Sequence, residues 1–153
     1  MNSEQSGTSL TLEALWQFSL QYYMSGEVKE ACLALQNHFG GNVNLLLLLK
    51  WLDEHHLTFP PQEWECIEFG LERSEPLLQQ YRELRRQMKK HLPDSLYRES
   101  LQFELQLERQ QQSDLVRCIN SLPLVDNHGD ELTLQYCRQL GAESLFHAFS
   151  SSA

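Results

Sequence analysis

Residues that favour strands are scarce in this chain. Val, Ile and Thr together number 10 of 153, against 29 leucines and 15 glutamines. Branching at Cβ restricts χ1 in a helix, whereas leucine and the straight-chain residues lose little rotamer freedom there. The imbalance points to helix before any periodicity is read. Cys32, Cys66, Cys118 and Cys137 are the only cysteines, with no Cys-x-x-Cys pair, which argues against a zinc ribbon or a thioredoxin-like motif. Met1 to Leu10 is polar, contains Glu4 and has no basic stretch, so no secretory signal is expected. The cysteines read as small buried hydrophobes in a reducing, cytoplasmic setting. Long apolar runs are missing too. The most apolar segment, Val43 to Leu52, is broken by Asn44 and Lys50 and falls short of the ~20 residues a membrane span needs. Gly-x-Ser-x-Gly and a strand–glycine loop–helix phosphate site are both absent.

What remains is amphipathic helix, enough to build a single domain with its own core. The expected architecture is all-α: a single-domain bundle of about six helices over 10–149, with a disordered tail at 1–9 and a frayed one at 150–153. Leu12, Leu15, Trp16, Ser19, Leu20 and Tyr23 recur at three- and four-residue steps, predicting a helix to about Met24. Val28, Ala31, Cys32, Leu35 and Phe39 predict a second, stopped by Gly40-Gly41, since glycine readily takes the left-handed position after a helix. Asn42 is a credible N-cap for a third, about 43–56. Leu45 to Leu49 cover more than one turn of it, and a helix apolar all round belongs at the centre. Trp64, Ile67 and Leu71 suggest a helix restarted at Pro60-Pro61. Another is expected over about 75–92, with Leu77, Leu78, Tyr81, Leu84, Met88 and Leu92 on one face. The segment Leu96 to Leu122, polar at Gln110-Gln111-Gln112, reads as one helix or two, and a last helix should end at Gly141.

Charge is uneven. The net charge is −9, yet residues 76–98 carry six cations against two carboxylates. Arg82, Arg85, Arg86, Lys89 and Lys90 recur at helical steps, which suggests a strip opposite the apolar face. Such a strip suits an acidic or phosphate-bearing partner, most simply another protein. Alternatively, it pairs with the chain's own carboxylates, at ~0–1 kcal/mol per exposed pair. Nucleic acid is disfavoured, because the acidic remainder would repel its backbone.

Two further clusters invite a chemical reading. Asp53-Glu54-His55-His56 offers two metal ligands on one helix face, short of the three or more a zinc or iron site requires. No metal and no cofactor is therefore expected, and the cluster reads as a polar C-terminal turn in which histidine complements the helix dipole. Trp16, Tyr23, Asn44, Trp51 and His55 could together line a pocket, or could simply be core.

Several blocks are similar to a known group: Leu15-Trp16-Gln17-Phe18, Ala31-Cys32-Leu33-Ala34-Leu35-Gln36, Asn42-Val43-Asn44-Leu45-Leu46-Leu47, Leu84-Arg85-Arg86 and Glu104-Leu105-Gln106-Leu107-Glu108-Arg109. The chain resembles an uncharacterised proteobacterial family of short helical proteins, a domain of unknown function. The resemblance implies a bacterial cytosolic origin and supplies no activity or catalytic residue. Two readings follow: a non-enzymatic interaction protein presenting the basic face of 82–90, or a small enzyme or ligand-binding protein with a pocket between the first and third predicted helices.

Overall fold

The computed structural model describes residues 9–150. The two tails expected at 1–9 and 150–153 therefore fall almost wholly outside the described residues. The order is α1 (Leu12–Tyr23), α2 (Gly26–His38), α3 (Val43–Glu54), β1 (Leu57–Thr58), α4 (Glu63–Leu71), α5 (Glu75–Met88), α6 (Asp94–Asn120), β2 (Val125–Asp126), α7 (Leu132–Leu140), a 3-10 turn (Glu143–Leu145) and α8 (Phe146–Phe149). The fold is all-α, as the leucine excess implies, but with eight α-helices among the described residues rather than about six. One pair of two-residue strands joins antiparallel, Leu57 opposite Asp126 and Thr58 opposite Val125.

The α3 helix is the hub. The Asn42 side chain caps it, accepting from the Leu45 N–H at 2.7 Å. Leu45 to Leu49 are all buried, and α3 packs against α1, α2, α6 and α7. It ends at Glu54, short of the expected residue 56, because His56 adopts φ 57° and turns the chain into β1. Gly40 takes φ 69°, the left-handed position foreseen for it. Its neighbour Gly41 is needed for a different reason: a Cβ there would sit 2.6 Å from Leu35 Cγ and 2.8 Å from Leu140 Cδ1.

Segment 94–120 is one unbroken helix. It is long enough to pack against α1, α3, α4 and α5 in succession. Its glutamine-rich middle is no hinge: Gln111 and Gln112 are both buried, each 1% exposed. Pro60 and Pro61 form a turn whose carbonyls accept from Glu63 and Trp64, so α4 starts two residues later than Pro61 suggested. None of the described helices is long and apolar enough to cross a membrane.

Buried polar residues brace this core. Lys50 is 2% exposed; its ammonium donates to the Phe149 carbonyl at 2.8 Å and lies 3.2 Å from Glu54, tying α3 to α8. Asp53 is buried as well and serves α7, as its contacts with Leu132 and Thr133 show.

Candidate functional site

The apolar and basic residues of α5 do not separate as the sequence suggested. Leu78, Arg82 and Arg85, at steps of four and three, share the face turned toward α6. Leu78 and Arg82 are buried, whereas Leu77 is 66% exposed and Leu84 50%. The cause lies on α6, where Glu104 and Glu108 face the guanidinium groups. Arg85 clasps Glu104 through Nε at 2.7 Å and Nη2 at 3.2 Å. Arg82 places Nη2 3.2 Å from Glu108 and Nε 3.6 Å from Glu104. The expected strip is thus divided. Arg82 and Arg85 point inward and are ion-paired, while Arg86, Lys89 and Lys90 are exposed. Of these, Arg86 reaches Glu83 at 3.8 Å and the Lys89 ammonium lies over the Tyr97 ring at 5.9 Å.

Where α5 and α6 meet α1, α2 and α3, a cleft of about 260 Å³ opens. It lies just below the ~300–1,000 Å³ usual for ligand pockets. Trp16, Tyr23 and Asn44 line it, joined by Arg82, Arg85, Glu104 and Glu108. Two sets of residues that the sequence kept apart therefore share one wall. Trp51 and His55 do not join them. Their rings stack on each other at 3.9 Å, and His55 Nδ1 meets the Trp51 carbonyl at 2.8 Å. The i, i+4 spacing that put Trp51 and His55 on one face satisfies them there, away from the cleft.

The floor of the cleft is Ser19, Asn44 and Gln112. The latter two belong to a relay of side-chain amides. Asn42 Nδ2 donates to Gln111 Oε1 at 3.1 Å, as does Asn44 Nδ2 at 2.9 Å. Gln112 Nε2 donates to Asn44 Oδ1 at 3.2 Å and to Ser19 Oγ at 3.0 Å. The Ser19 hydroxyl donates to the Leu15 carbonyl at 2.7 Å. Above the floor, leucines supply the apolar lining. Leu47 is buried, whereas Leu20, Leu33 and Leu105 are each more than two-fifths exposed at the mouth.

Burial sets the electrostatics. It pushes the Glu108 carboxyl above its ordinary value, against the opposing pull of Arg82. Burial also raises the Tyr23 phenol. The Arg85 guanidinium is held further up by its hydrogen bond to Glu104. Two cations and two carboxylates cancel across the wall, so the cleft is polar without a net sign.

Gln111, Gln112, Glu104 and Glu108 went unrecognised in the sequence. Their signal was available: 104, 108, 111 and 115 follow one another at helical steps, a polar continuation of an apolar stripe. Among the described residues, no group of three or more His, Cys, Asp or Glu is placed to hold a metal ion.

Neither curated proteins nor solved structures give a match to this chain. The family described as "Protein of unknown function (DUF2390)" matches residues 14–115. All the cleft-lining residues, Trp16 through Gln112, fall inside that range. With more than half of its length matched, the chain belongs to this family of unknown function.

Proposed function

We propose that this is a cytoplasmic, non-enzymatic binding protein whose cleft between α1, α2, α3, α5 and α6 takes a small ligand. The observation that carries the reading is the cleft's construction: an apolar lining over a buried amide floor, walled by a neutralised Arg–Glu quartet. Convergent polar groups in a concave apolar site are what ligand recognition requires. Binding is favoured over turnover by the state of the polar groups. The Ser19 hydroxyl is committed to a backbone carbonyl, and Glu104 is clasped bidentately. No side chain in the lining pairs a nucleophile with a base.

The test is a thermal-shift screen of a small-molecule library against the wild type and Leu105→Trp. Leu105 is 42% exposed at the mouth, so a tryptophan there narrows the cleft without disturbing the core. Compounds that stabilise the wild type and not Leu105→Trp support the reading. Compounds that stabilise both equally place binding elsewhere and refute it, as does a screen with no stabilising compound.

A second reading has its own observation. On the outer side of the α5–α6 hairpin, Leu77 and Leu84 share a face of α5, and Phe103, 49% exposed, packs on Tyr81 at 5.4 Å. Arg86, Lys89 and Lys90 are exposed around the C-terminal end of the same helix, so that end of the hairpin suits an acidic partner protein whose apolar side chains reach round to the leucines. The two readings use different surfaces and are compatible.

A further inference from the structure

The Gln112 carbonyl is the one buried side-chain acceptor without a hydrogen-bond partner among the described residues. Its orientation is fixed from far away. Asn42 must turn Oδ1 to the Leu45 N–H to cap α3, which leaves its amide nitrogen to donate to Gln111 Oε1. Gln111 Oε1 also receives Asn44 Nδ2. Asn44 therefore presents only Oδ1 to Gln112, and Gln112 must answer with its nitrogen. Flipping Gln112 would set two acceptors against each other. Oε1 is left as an acceptor by the logic of the whole relay, and a buried acceptor left unmade is destabilising until something donates to it.

The wall defines the rest of the ligand. Arg82 and Arg85 are matched by Glu104 and Glu108, so an incoming ion of either sign finds no unpaired counter-ion and would lose its hydration uncompensated. We propose that the cleft binds an uncharged ligand with an apolar body and a hydrogen-bond-donating head, of the primary amide or alcohol class. The body lies against Leu20, Leu33, Leu47 and Leu105, and the head donates to Gln112 Oε1. That atom is closed to solvent, so the donor reaches it as the side chains above it part, an adjustment common on binding. This inference rests on the ligand-binding reading above and narrows it to one chemistry.

Four probes of nearly one shape test it: hexanamide, methyl pentyl ketone, hexanoate and hexanamidine. The ketone removes the donor, hexanoate adds negative charge, and hexanamidine keeps donors but is a cation. Each is titrated into the wild-type protein while the methyl NMR signals of Leu33, Leu47 and Leu105 are followed. The expected result is saturable shifts with hexanamide and binding at least about tenfold weaker for the other three, one such step being ~1.4 kcal/mol. Gln112→Met should bring hexanamide down to the level of the ketone. If that variant fails to fold, the ranking of the four probes on the wild type still decides. A ketone, hexanoate or hexanamidine that binds as well as hexanamide overturns the ligand class while leaving the cleft a binding site. Absence of any methyl shift with all four overturns the class, whereas the ligand-binding reading itself falls on an empty library screen.

Discussion

Thr133 gives Asp53 both its backbone N–H, at 3.0 Å, and its hydroxyl, at 2.7 Å. The other Asp53 oxygen accepts the Leu132 N–H at 2.8 Å. A carboxylate on the last turn of α3 therefore caps α7, a helix about eighty residues further along. The residue beside that helix start, Glu131, makes no side-chain cap. Asp53→Ala strands three buried donors, two of them the N–H groups that it caps at the start of α7, each costing about 1–3 kcal/mol when left unpaired. Chemical denaturation should show a loss of more than about 2 kcal/mol, with Asp53→Asn in between because it keeps one acceptor. A wild-type midpoint for Asp53→Ala would remove Asp53 from this role.

The hub makes a parallel prediction. Leu46 is fully buried on α3, and Leu→Ala in such a site costs about 2–5 kcal/mol. The melting temperature should fall by roughly 2–4 °C for each kcal/mol lost in a domain of this size, or the variant should not fold. An unchanged melting curve would mean that α3 is not central.

How far the sequence reaches is clear from these two residues. Leu46 was legible, because five consecutive leucines leave a helix no polar side to expose. The partner of Asp53 was not. Its neighbours Glu54, His55 and His56 suggested a local polar cluster, and only the three-dimensional crossing of α3 and α7 brings Thr133 within reach. The same holds for the cleft. Trp16, Tyr23 and Asn44 belong to the pocket suggested by the aromatic and polar residues of two helices, a set that also held Trp51 and His55, which the structure leaves outside. Arg82 and Arg85 joined them because α5 is rotated toward Glu104 and Glu108. Helical periodicity gives the faces of each helix. On α5 the expected apolar face held Leu77, Leu78 and Leu84 together, with the basic residues opposite, but the carboxylates of α6 turn Leu78, Arg82 and Arg85 inward and leave Leu77 and Leu84 exposed.

Thiol chemistry separates the four cysteines. Cys66 is exposed. Burial pushes the Cys32 thiol up to about 12, and the Cys118 and Cys137 thiols up to about 11. The thiolate is the reactive form, so near pH 8 a maleimide should modify the exposed Cys66 first, the half-buried Cys118 more slowly, and the buried Cys32 and Cys137 only on unfolding. Peptide mass spectrometry of the labelled native protein checks this. Rapid modification of Cys32, which is fully buried against the core, would contradict the packing of α2.

Glu108 supplies a pH dependence with a definite sign. Its carboxyl is raised in the folded state, by burial first, so the folded protein holds this proton more tightly than the unfolded chain does. The contribution to stability is full below the ordinary carboxyl range, about pH 4. It is lost as pH rises through the raised folded value, because the unfolded state sheds its proton first. Glu108→Gln cannot titrate. Measured by denaturation between pH 4 and 7, the stability of the wild type relative to Glu108→Gln should therefore fall as pH rises. A relative gain with rising pH would show that the Arg82 ion pair outweighs burial.

The divided basic strip gives the last prediction, and it separates two roles for residues one helical turn apart. Arg82 is 5% exposed and paired with Glu104 and Glu108. Arg82→Glu would set three carboxylates together in a partly buried site, and breaking a buried pair alone costs about 3–5 kcal/mol. That variant should unfold or melt far below the wild type. The triple reversal of Arg86, Lys89 and Lys90 to Glu touches only exposed side chains, where substitutions usually stay within about 0.5 kcal/mol each, so its melting curve should stay close to that of the wild type. With the fold intact, the triple variant isolates the docking reading. A designed amphipathic helix with glutamates flanking a leucine stripe is the probe. It should bind the wild type at low salt, weaken as ionic strength shortens the screening length toward ~8 Å, and fail to bind the triple variant. Equal binding to both proteins would show that the three cations recruit no acidic partner, and the docking reading would fall.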